Sequence, residues 1–313
     1  MELSVVTTMY QSEAYLSEFY ERITVEARKL ANNYELIFVN DGSPDRSLEI
    51  ALELHAEDPR VKVIDLSRNF GHHKAMMTGL AHASGNLVFL IDCDLEEDPE
   101  LLGKFHLELA ESKADVVYGV QGRRKGGMLE RFVGYLFYSL FNLLSDYPIP
   151  RNVVTTRLMT KRYVESLIQH RDREVFIDGL WAITGYTQVP SLIHKKYRGA
   201  STYTWTKKAD LFANAITSFS SHPLILMCYL GAVISLAALV AGVNLVLRRL
   251  FFEEYLQGWT SLIVSVWFLG GLIVFCLGII GIYLAKVFSE TKERPYTIVR
   301  AMYDRSGTVT DDI

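Results

Sequence analysis

Two aspartates separated by one residue, Asp92 and Asp94, come directly after the apolar run at 86–91. Carboxylates at positions i and i+2 beyond a strand can converge on one divalent cation, and Mg²⁺ usually shares its remaining positions with substrate phosphates. A bare Asp-x-Asp pair is weak evidence, and an acidic run such as 92–98 is usually a solvated face. The position after a buried strand favours a metal site over that alternative.

Alternating strands and helices are predicted to position this pair. Strands are expected at 3–9, 35–39, 61–66 and 86–91, and helices at 14–32, 47–56 and 73–83. This alternation predicts an α/β fold in which helices cover both faces of a mostly parallel sheet. Ligands bind such sheets beyond the carboxyl ends of the strands. The polar residues found at those ends are Tyr10, Glu13, Asp41, Arg68, Asn69, Asp92 and Asp94.

Charge is distributed unevenly along the 313 residues, of which 22% are charged. Between positions 211 and 285 the charged residues are Arg248, Arg249, Glu253 and Glu254, so a soluble part is expected to precede a membrane part. This split disfavours both a purely soluble protein and a transporter with many spans. The net charge of −4 excludes a basic nucleic-acid-binding surface. Three cysteines without metal-ligand spacing predict neither a disulfide framework nor a zinc site.

Two uncharged runs, at 223–247 and 259–285, are each long enough to cross a bilayer as a helix. Their short connection predicts a hairpin, and buried helices of a globular core are the alternative. Lysines and arginines precede the first run and follow the second, which predicts that both termini are cytoplasmic. Glycines in the second run would allow close helix packing, which makes a homo-oligomer through the membrane helices an open expectation.

Two further segments are predicted to lie at the membrane interface. Residues 128–147 carry a broad aromatic stripe, and residues 205–221 lead into the first span. An aromatic and aliphatic face of this kind suits a helix lying in the interface. A buried core helix is the alternative for the first segment.

Several motifs resemble those of family 2 glycosyltransferases. Residues 4–13 (SVVTTMYQSE) are similar to the family opening S-V-V-I-P-V-Y-N-E-E, residues 40–45 (NDGSPD) match N-D-G-S-x-D, residues 67–71 (SRNFG) match S-R-N-F-G, and residues 92–100 (DCDLEEDPE) are similar to D-A-D-L-Q-D-P-P-E. With the two-helix tail, the chain resembles the polyprenyl-phosphate glycosyltransferases, the dolichyl-phosphate mannose synthase, GtrB and ArnC-like group. The resemblance covers essentially the whole chain.

The resemblance implies a GT-A fold and an inverting glycosyltransferase. Such an enzyme transfers a sugar from a nucleotide sugar, here expected to be a UDP-sugar, to a polyprenyl phosphate, here expected to be undecaprenyl phosphate. It uses Mg²⁺ or Mn²⁺, and its product serves cell-surface glycan or lipid modification. The implied organisation is a cytoplasmic GT-A domain at 1–210 and a membrane domain at 211–313 with a cytoplasmic tail, in a bacterial inner membrane.

The family motifs also imply roles for individual residues. Asp41 is expected to contact the base, and either Lys196 or Arg198 is expected to bind the donor diphosphate. The complete set expected to bind the nucleotide sugar is Thr8, Tyr10, Glu13, Asp41, Arg68, Asn69, Asp92, Lys196, Arg198, Ser201, Tyr203 and Lys207. The metal ligands are expected to be Asp92, Asp94 and Glu96, and the catalytic residues Asp92, Asp94 and Arg198. Gln121, Arg123 and Arg131 lie where the family binds the acceptor phosphate, and the arginine fork suits phosphate oxygens. A solvated basic loop is the alternative for these arginines.

Two positions depart from the family pattern. Thr8 replaces the proline that usually ends the first strand, and Thr155 stands where related bacterial enzymes carry an acidic residue before Arg-Leu-Met. A general base is unnecessary if the acceptor is a phosphate monoester, which is largely ionised near neutral pH. Catalysis is therefore assigned to metal activation and positioning. Asp178 is either a residue that reaches the sugar or a surface residue.

Two other functions are weighed against this one. A processive polysaccharide synthase would need a Gln-x-x-Arg-Trp motif and more spans, and the sequence has neither. A non-catalytic membrane scaffold or flippase partner with a degenerate transferase domain is favoured by the changes at Thr8 and Thr155. The intact Asp41, Asp92 and Asp94 argue against that alternative.

Overall fold

The computed structural model describes residues 1–122, 150, 152–173, 175–196, 222–252, 258–304 and 307–309. These residues form two compact units. The first contains the described residues up to 196 together with those from 294 onward, and the second contains those from 222 to 293. The predicted interfacial helices at 128–147 and 205–221 lie outside the described residues.

A mixed sheet forms the centre of the first unit. Its strands are β1 (Leu3–Met9), β2 (Tyr34–Asn40), β3 (Val61–Leu66), β4 (Leu87–Leu90), β5 (Val116–Gln121), β6 (Val153–Thr160), β7 (Gln188–Ile193), β8 (Val299–Asp304) and β9 (Gly307–Val309). The strand order is β7-β5-β6-β4-β1-β2-β3-β8-β9. Strands β4, β1, β2 and β3 are parallel neighbours, whereas β6 and β8 run antiparallel to the strands beside them. The carboxyl ends of the four parallel strands therefore share one edge.

Helices cover both faces of the central strands. They are α1 (Leu16–Leu30), α2 (Ser47–Glu57), α3 (His72–Ala81), α4 (Leu101–Ser112), α5 (Lys161–Leu167) and α6 (Ile177–Ile183). On one face Phe19 of α1 packs edge-on against Phe38 of β2, with ring centroids 6.1 Å apart. On the other face α3 lies so close that a Cβ on Gly79 would stand 2.5 Å from Val6 Cγ1. The predicted α/β class and mostly parallel sheet are confirmed.

The chain returns to the sheet after the second apolar helix. Strand β8 pairs antiparallel with β3, and the Ser67 amide donates to the Ile298 carbonyl over 2.9 Å. The Arg300 guanidinium donates to the Ser67 carbonyl over 2.6 Å and contacts Asp65 over 3.3 Å. The division at residue 211 placed this tail with the membrane part, but the tail belongs to the first unit. Pairing with β3 satisfies backbone groups that an open sheet edge would leave exposed.

The second unit contains the helices α7 (His222–Phe252) and α8 (Trp259–Thr291). Their stretches His222–Ala241 and Ser265–Thr291 are long and apolar enough to cross a membrane, judged by length and composition. Large apolar side chains on them face outward, such as Trp267, which is 79% exposed. Apolar helices whose side chains are not buried within the protein disfavour the alternative of a globular core. The two predicted apolar C-terminal helices are confirmed as candidate membrane spans.

Candidate active site

A cavity of about 310 Å³ opens at the carboxyl ends of β1, β2 and β4. We call it the first cavity. Its lining residues are Thr8, Met9, Tyr10, Ser12, Asp41, Asn69, Gly71, His72, Asp92, Cys93 and Asp94. The structure thus brings together six residues that the sequence predicted for donor or metal binding, which are Thr8, Tyr10, Asp41, Asn69, Asp92 and Asp94. The topology explains this grouping, because parallel strands deliver their following loops to one edge.

The turn after β1 is fastened to the turn after β2. The amides of Gln11 and Ser12 donate to Ser43 Oγ over 2.7 Å and to Ser47 Oγ over 2.9 Å. The Glu13 carboxylate accepts from the Arg46 amide over 3.0 Å. Glu13 therefore joins the two turns and does not line the first cavity, although the sequence predicted that it lines the nucleoside pocket.

Asp45 supplies the acceptor at the centre of this junction. Its carboxylate accepts from the Ser43 hydroxyl over 2.5 Å, from the Ser47 hydroxyl over 2.6 Å and from the Glu13 amide over 3.1 Å. Partial burial acts to raise the pKa of Asp45, but the hydrogen bonds from Ser43 and Ser47 outweigh it and lower the pKa to about 2. The ionised carboxylate thus stabilises the folded state.

We predict that Asp45→Asn destabilises the protein at pH 7 and that the difference from wild type shrinks under acid. The folded-state pKa lies below the unfolded value of about 3.9, so the stabilisation is fully present above roughly pH 5 and is lost as the pH falls toward 2. Thermal unfolding midpoints in detergent, measured between pH 7 and pH 3, test this. Glu49→Gln, which alters the neighbouring exposed pair with Arg46, is the control. A pH-independent difference for Asp45→Asn would contradict the prediction.

Asp41 holds the loop between β3 and α3 while it lines the first cavity. Its carboxylate accepts from the Phe70 amide over 2.7 Å and from the Gly71 amide over 3.0 Å. The turn after β2 approaches the loop between β3 and α3 closely at Gly42. A Cβ on Gly42 would lie 2.5 Å from the Asn69 backbone nitrogen, and the Gly42 φ is +60°. These contacts explain the Asn-Asp-Gly sequence structurally. A contact between Asp41 and the base remains a prediction.

Asp92 is held by residues from two other elements. His72 Nε2 lies 3.3 Å from Asp92 Oδ1, and His72 Nδ1 lies 3.0 Å from the Thr8 hydroxyl. Thr155 lies near enough to Asp92 to affect the pKa of that carboxyl. Burial acts to lower the pKa of His72, but Asp92 outweighs this effect and raises it. The first carboxylate of the pair is therefore held by His72, which is itself held by Thr8.

Asp94 faces the same cavity as Asp92. Its Oδ1 accepts from the Glu96 amide over 2.9 Å. Burial and the nearby charge of Asp92 raise the pKa of Asp94. Two carboxylates that repel one another at the edge of a cavity form a donor set suited to a hard divalent cation.

Lys195 is a positively charged residue of this site that was not predicted from the sequence. Its ammonium group lies 2.9 Å from Glu96 and 3.4 Å from the buried Glu97. The neighbouring Lys196, predicted to bind the donor diphosphate, instead contacts Asp98 over 2.5 Å at the surface. Lys195 and Lys196 both follow the end of β7 at Ile193, and no local sequence pattern distinguishes the two lysines.

A second cavity of about 290 Å³ lies beyond Thr155. Its lining residues are His73, Met76, Gln121, Asn152, Val153, Val154, Thr155, Ile177, Asp178, Trp181 and Lys195. Gln121, predicted to bind the acceptor phosphate, is among them. Below this cavity the buried Arg157 donates to the Thr155 carbonyl over 3.2 Å and stacks on Trp181.

Comparison with known proteins identifies the family. The profile described as "Glycosyl transferase family 2" matches residues 4–168. The chain is 53% identical to a protein of Mycobacterium tuberculosis named "Putative glycosyltransferases", over 99% of this chain and 91% of that one. The chain belongs to glycosyl transferase family 2. It is also 35% identical to the "Uncharacterized glycosyltransferase YkcC" of Bacillus subtilis, over 97% of this chain and 94% of that one. The "Prophage bactoprenol glucosyl transferase homolog" of Escherichia coli is 31% identical, over 96% and 99% of the two chains.

Family membership confirms that the protein is a glycosyltransferase, as the resemblance implied. Most of the residues predicted to act on the donor diphosphate or the acceptor lie outside the described part of the chain. These are Arg123, Arg131, Arg198, Ser201, Tyr203 and Lys207. Arg68 is described but lies apart from the first cavity, with its guanidinium 4.0 Å from the centre of the Phe70 ring.

Family 2 glycosyltransferases generally use a divalent metal ion, and the donor set here fits such an ion in part. Within the described residues, no group of three or more histidines, cysteines and acids is arranged to hold a metal. Glu96, the predicted third ligand, contacts Lys195 instead. Two aspartates nevertheless suffice for an ion that completes its coordination with phosphate oxygens and water. Asp92 and Asp94 are therefore the candidate metal ligands.

Proposed function

We propose that this glycosyltransferase transfers a sugar from a UDP-sugar to undecaprenyl phosphate with inversion at the anomeric carbon. The observation that carries the proposal is the pair Asp92 and Asp94, which lines the first cavity and adjoins the second through Thr155. Relatives named for bactoprenol glucosyl transfer support a polyprenyl-phosphate acceptor. The two apolar helices support an acceptor that is itself embedded in a membrane.

The residues of this chain would contribute mainly by positioning. Asp92 and Asp94 would hold Mg²⁺ or Mn²⁺, which neutralises negative charge on the departing nucleoside diphosphate. His72 holds Asp92, and the Glu96 amide holds Asp94, so the charges are arranged before the donor binds. A rigid arrangement of this kind lowers the entropic cost of bringing donor and acceptor together.

The proposed reaction needs no general base. A phosphate oxygen of the acceptor attacks the anomeric carbon as the bond between that carbon and the diphosphate oxygen breaks. The diphosphate leaves as an anion, and the ionised acceptor has no proton to lose. The threonine at position 155 is thus compatible with the reaction, although related enzymes carry an acid there.

The proposed function also includes a cellular location and an oligomeric state. We place the protein in a bacterial inner membrane, with its catalytic unit and both termini on the cytoplasmic side, where positively charged flanks favour them. Glycines on α8 leave room for close packing against another helix, which suits a homo-oligomer. The product would supply sugar for a cell-surface glycan or lipid.

The test is a panel of donors offered to the purified full-length protein in detergent. UDP-glucose, UDP-galactose, UDP-N-acetylglucosamine and GDP-mannose are each incubated with undecaprenyl phosphate, and lipid-linked product is measured. We expect product from a UDP-sugar, its loss with a chelator and its recovery with Mg²⁺ or Mn²⁺. Undecaprenol, which lacks the phosphate, should accept nothing. Failure with every donor, or a growing polysaccharide in place of a single transferred sugar, would refute the proposal.

A further inference from the structure

The second cavity adjoins the first across the fixed Asp92. Thr155 lines the second cavity and lies near Asp92, which lines the first. The consecutive residues His72 and His73 line the first and the second cavity respectively. If the nucleoside occupies the first cavity and its diphosphate lies at Asp92 and Asp94, the group attached beyond the diphosphate is directed toward the second. This step rests on the proposed function.

The size of the second cavity suits one small ring. Its volume of about 290 Å³ is at the lower end of small-molecule sites, which span roughly 300–1,000 Å³. Apolar and polar side chains share the lining. The Trp181 side chain and Ile177 offer apolar surface, while Gln121, Asn152 and Thr155 offer hydrogen-bonding groups. A sugar ring presents the same combination of apolar faces and hydroxyl edges.

The charges around the cavity favour a neutral polyol over a phosphate. Lys195 is a cation of the lining, but it already contacts two carboxylates, Glu96 at 2.9 Å and Glu97 at 3.4 Å. Asp178 adds a carboxylate to the lining itself. Burial lowers the pKa of His73, which keeps that ring neutral. Burial raises the pKa of Asp178. An ionised Asp178 would repel an incoming phosphate, whereas sugar hydroxyls can hydrogen-bond to the carboxyl group in either protonation state.

Asp178 is a half-buried carboxylate whose neighbouring side chains are held in place by their own contacts. It lies in the first turn of α6. Arg157 is buried and interacts electrostatically with Asp178. The His73 ring is oriented by a hydrogen bond from Nδ1 to the Val175 carbonyl over 3.2 Å. A carboxylate held in this way can discriminate between hydroxyl configurations, because an unmatched buried acceptor costs binding energy.

We infer that the second cavity binds the sugar ring of the donor and that Asp178 accepts hydrogen bonds from its hydroxyls, which makes Asp178 a determinant of sugar specificity. The two halves of the donor would thus bind in different cavities. Residues of the first cavity bind the nucleoside, while Asp178 contacts only the group to be transferred.

The test compares the affinities of UDP and of UDP-sugars for wild type and Asp178→Asn in the presence of Mn²⁺, measured by isothermal titration calorimetry. The sugars are UDP-glucose, UDP-galactose and UDP-N-acetylglucosamine. We expect the variant to bind UDP within about 2-fold of wild type and to bind the preferred UDP-sugar at least ~10-fold more weakly. Asp178→Glu should recover part of that loss. Glu165→Gln, an exposed carboxylate on α5, is the control and should change neither affinity.

Equal weakening of UDP and UDP-sugar by Asp178→Asn would indicate a structural role and overturn the inference, as would unchanged binding of both. If wild type transfers sugar and the variant keeps the same donor preference, the inference fails while the proposed function stands. If wild type transfers none, both fail.

Gln121→Ala provides a second route if Asp178→Asn does not fold. We expect it to raise the KM for the UDP-sugar. A rise confined to the KM for undecaprenyl phosphate would assign the cavity to the acceptor and overturn the inference.

Discussion

Asp94→Asn is expected to reduce sugar transfer by at least about 100- to 1,000-fold, the size of effect seen when one preorganised electrostatic group is removed from an active site. Asparagine keeps the size of the side chain and can still accept the hydrogen bond that the Glu96 amide donates over 2.9 Å. The substitution removes the negative charge that would bind the metal. Initial rates of radiolabelled sugar transfer to undecaprenyl phosphate, measured over a range of Mn²⁺ concentrations, give the result.

Glu100→Gln is the matched control for Asp94→Asn. Glu100 belongs to the same acidic segment but pairs with Arg22 on the surface over 2.6 Å. Exposed ion pairs of this kind contribute about 0–1 kcal/mol, so the rate should stay near that of wild type. Equal loss in both variants, or full activity of Asp94→Asn with a tightly bound metal, would remove Asp94 from the proposed metal site.

Local patterns were sufficient to predict the central strands and the edge at which the site forms. Strands β1 and β3 begin and end at the predicted residues, because both are short segments rich in apolar and β-branched residues. Strand β8 was missed. It is short, carries mixed polarity and pairs with β3 across more than 230 residues of sequence. Its pairing depends on a free sheet edge, which no local pattern records.

Several contacts at the site could not be predicted for the same reason, because they join residues that no local pattern connects. Asp92 and Asp94 were predicted correctly to follow β4 at the sheet edge, because both belong to the loop that leaves a single strand. The contact of His72 with Asp92 and the contacts of Lys195 with Glu96 join elements far apart in sequence. A resemblance to a motif identifies where a residue lies in the chain but not which residues it contacts. Glu13 shows this, since it matches the family opening and yet caps the neighbouring turn.

The buried Arg157 joins the sheet to the second cavity. Its side chain is 1% exposed, donates to the backbone carbonyls of Val154 and Thr155, and stacks on Trp181. Burial lowers the pKa of Arg157 to about 10, so the guanidinium is still charged at neutral pH. Burial raises the pKa of Asp178 and raises that of Glu97 to about 7, and the charge of Arg157 favours the ionised form of both. The arginine is therefore expected to stabilise the floor of the cavity.

Arg157→Met should lower the free energy of unfolding by about 3–5 kcal/mol, the cost of breaking a buried charge interaction on one side. Methionine fills much of the same volume, so most of the loss would come from the lost charge interaction with Asp178 and from the lost hydrogen bonds to the backbone, while Glu97 keeps its contact with Lys195. Urea unfolding in detergent measures it. Lys161→Met is the control, because Lys161 is an exposed cation beside the same strand, 3.9 Å from Glu165, and its loss should cost under about 1 kcal/mol.

A double-mutant cycle separates the charge effect from packing. If Arg157 stabilises the fold by offsetting Asp178, then Asp178→Asn should be less destabilising in the Arg157→Met background than in wild type. Residues coupled in this way show interaction energies of about 0.5–3 kcal/mol. Strict additivity would show that Arg157 acts through its stacking on Trp181 and its backbone hydrogen bonds, and that the charge of Asp178 is balanced by other groups. If Asp178→Asn is less destabilising in the Arg157→Met background, then Arg157 keeps the carboxylate proposed to select the sugar ionised. This arginine of the Arg-Leu-Met motif would then act on the substrate through Asp178.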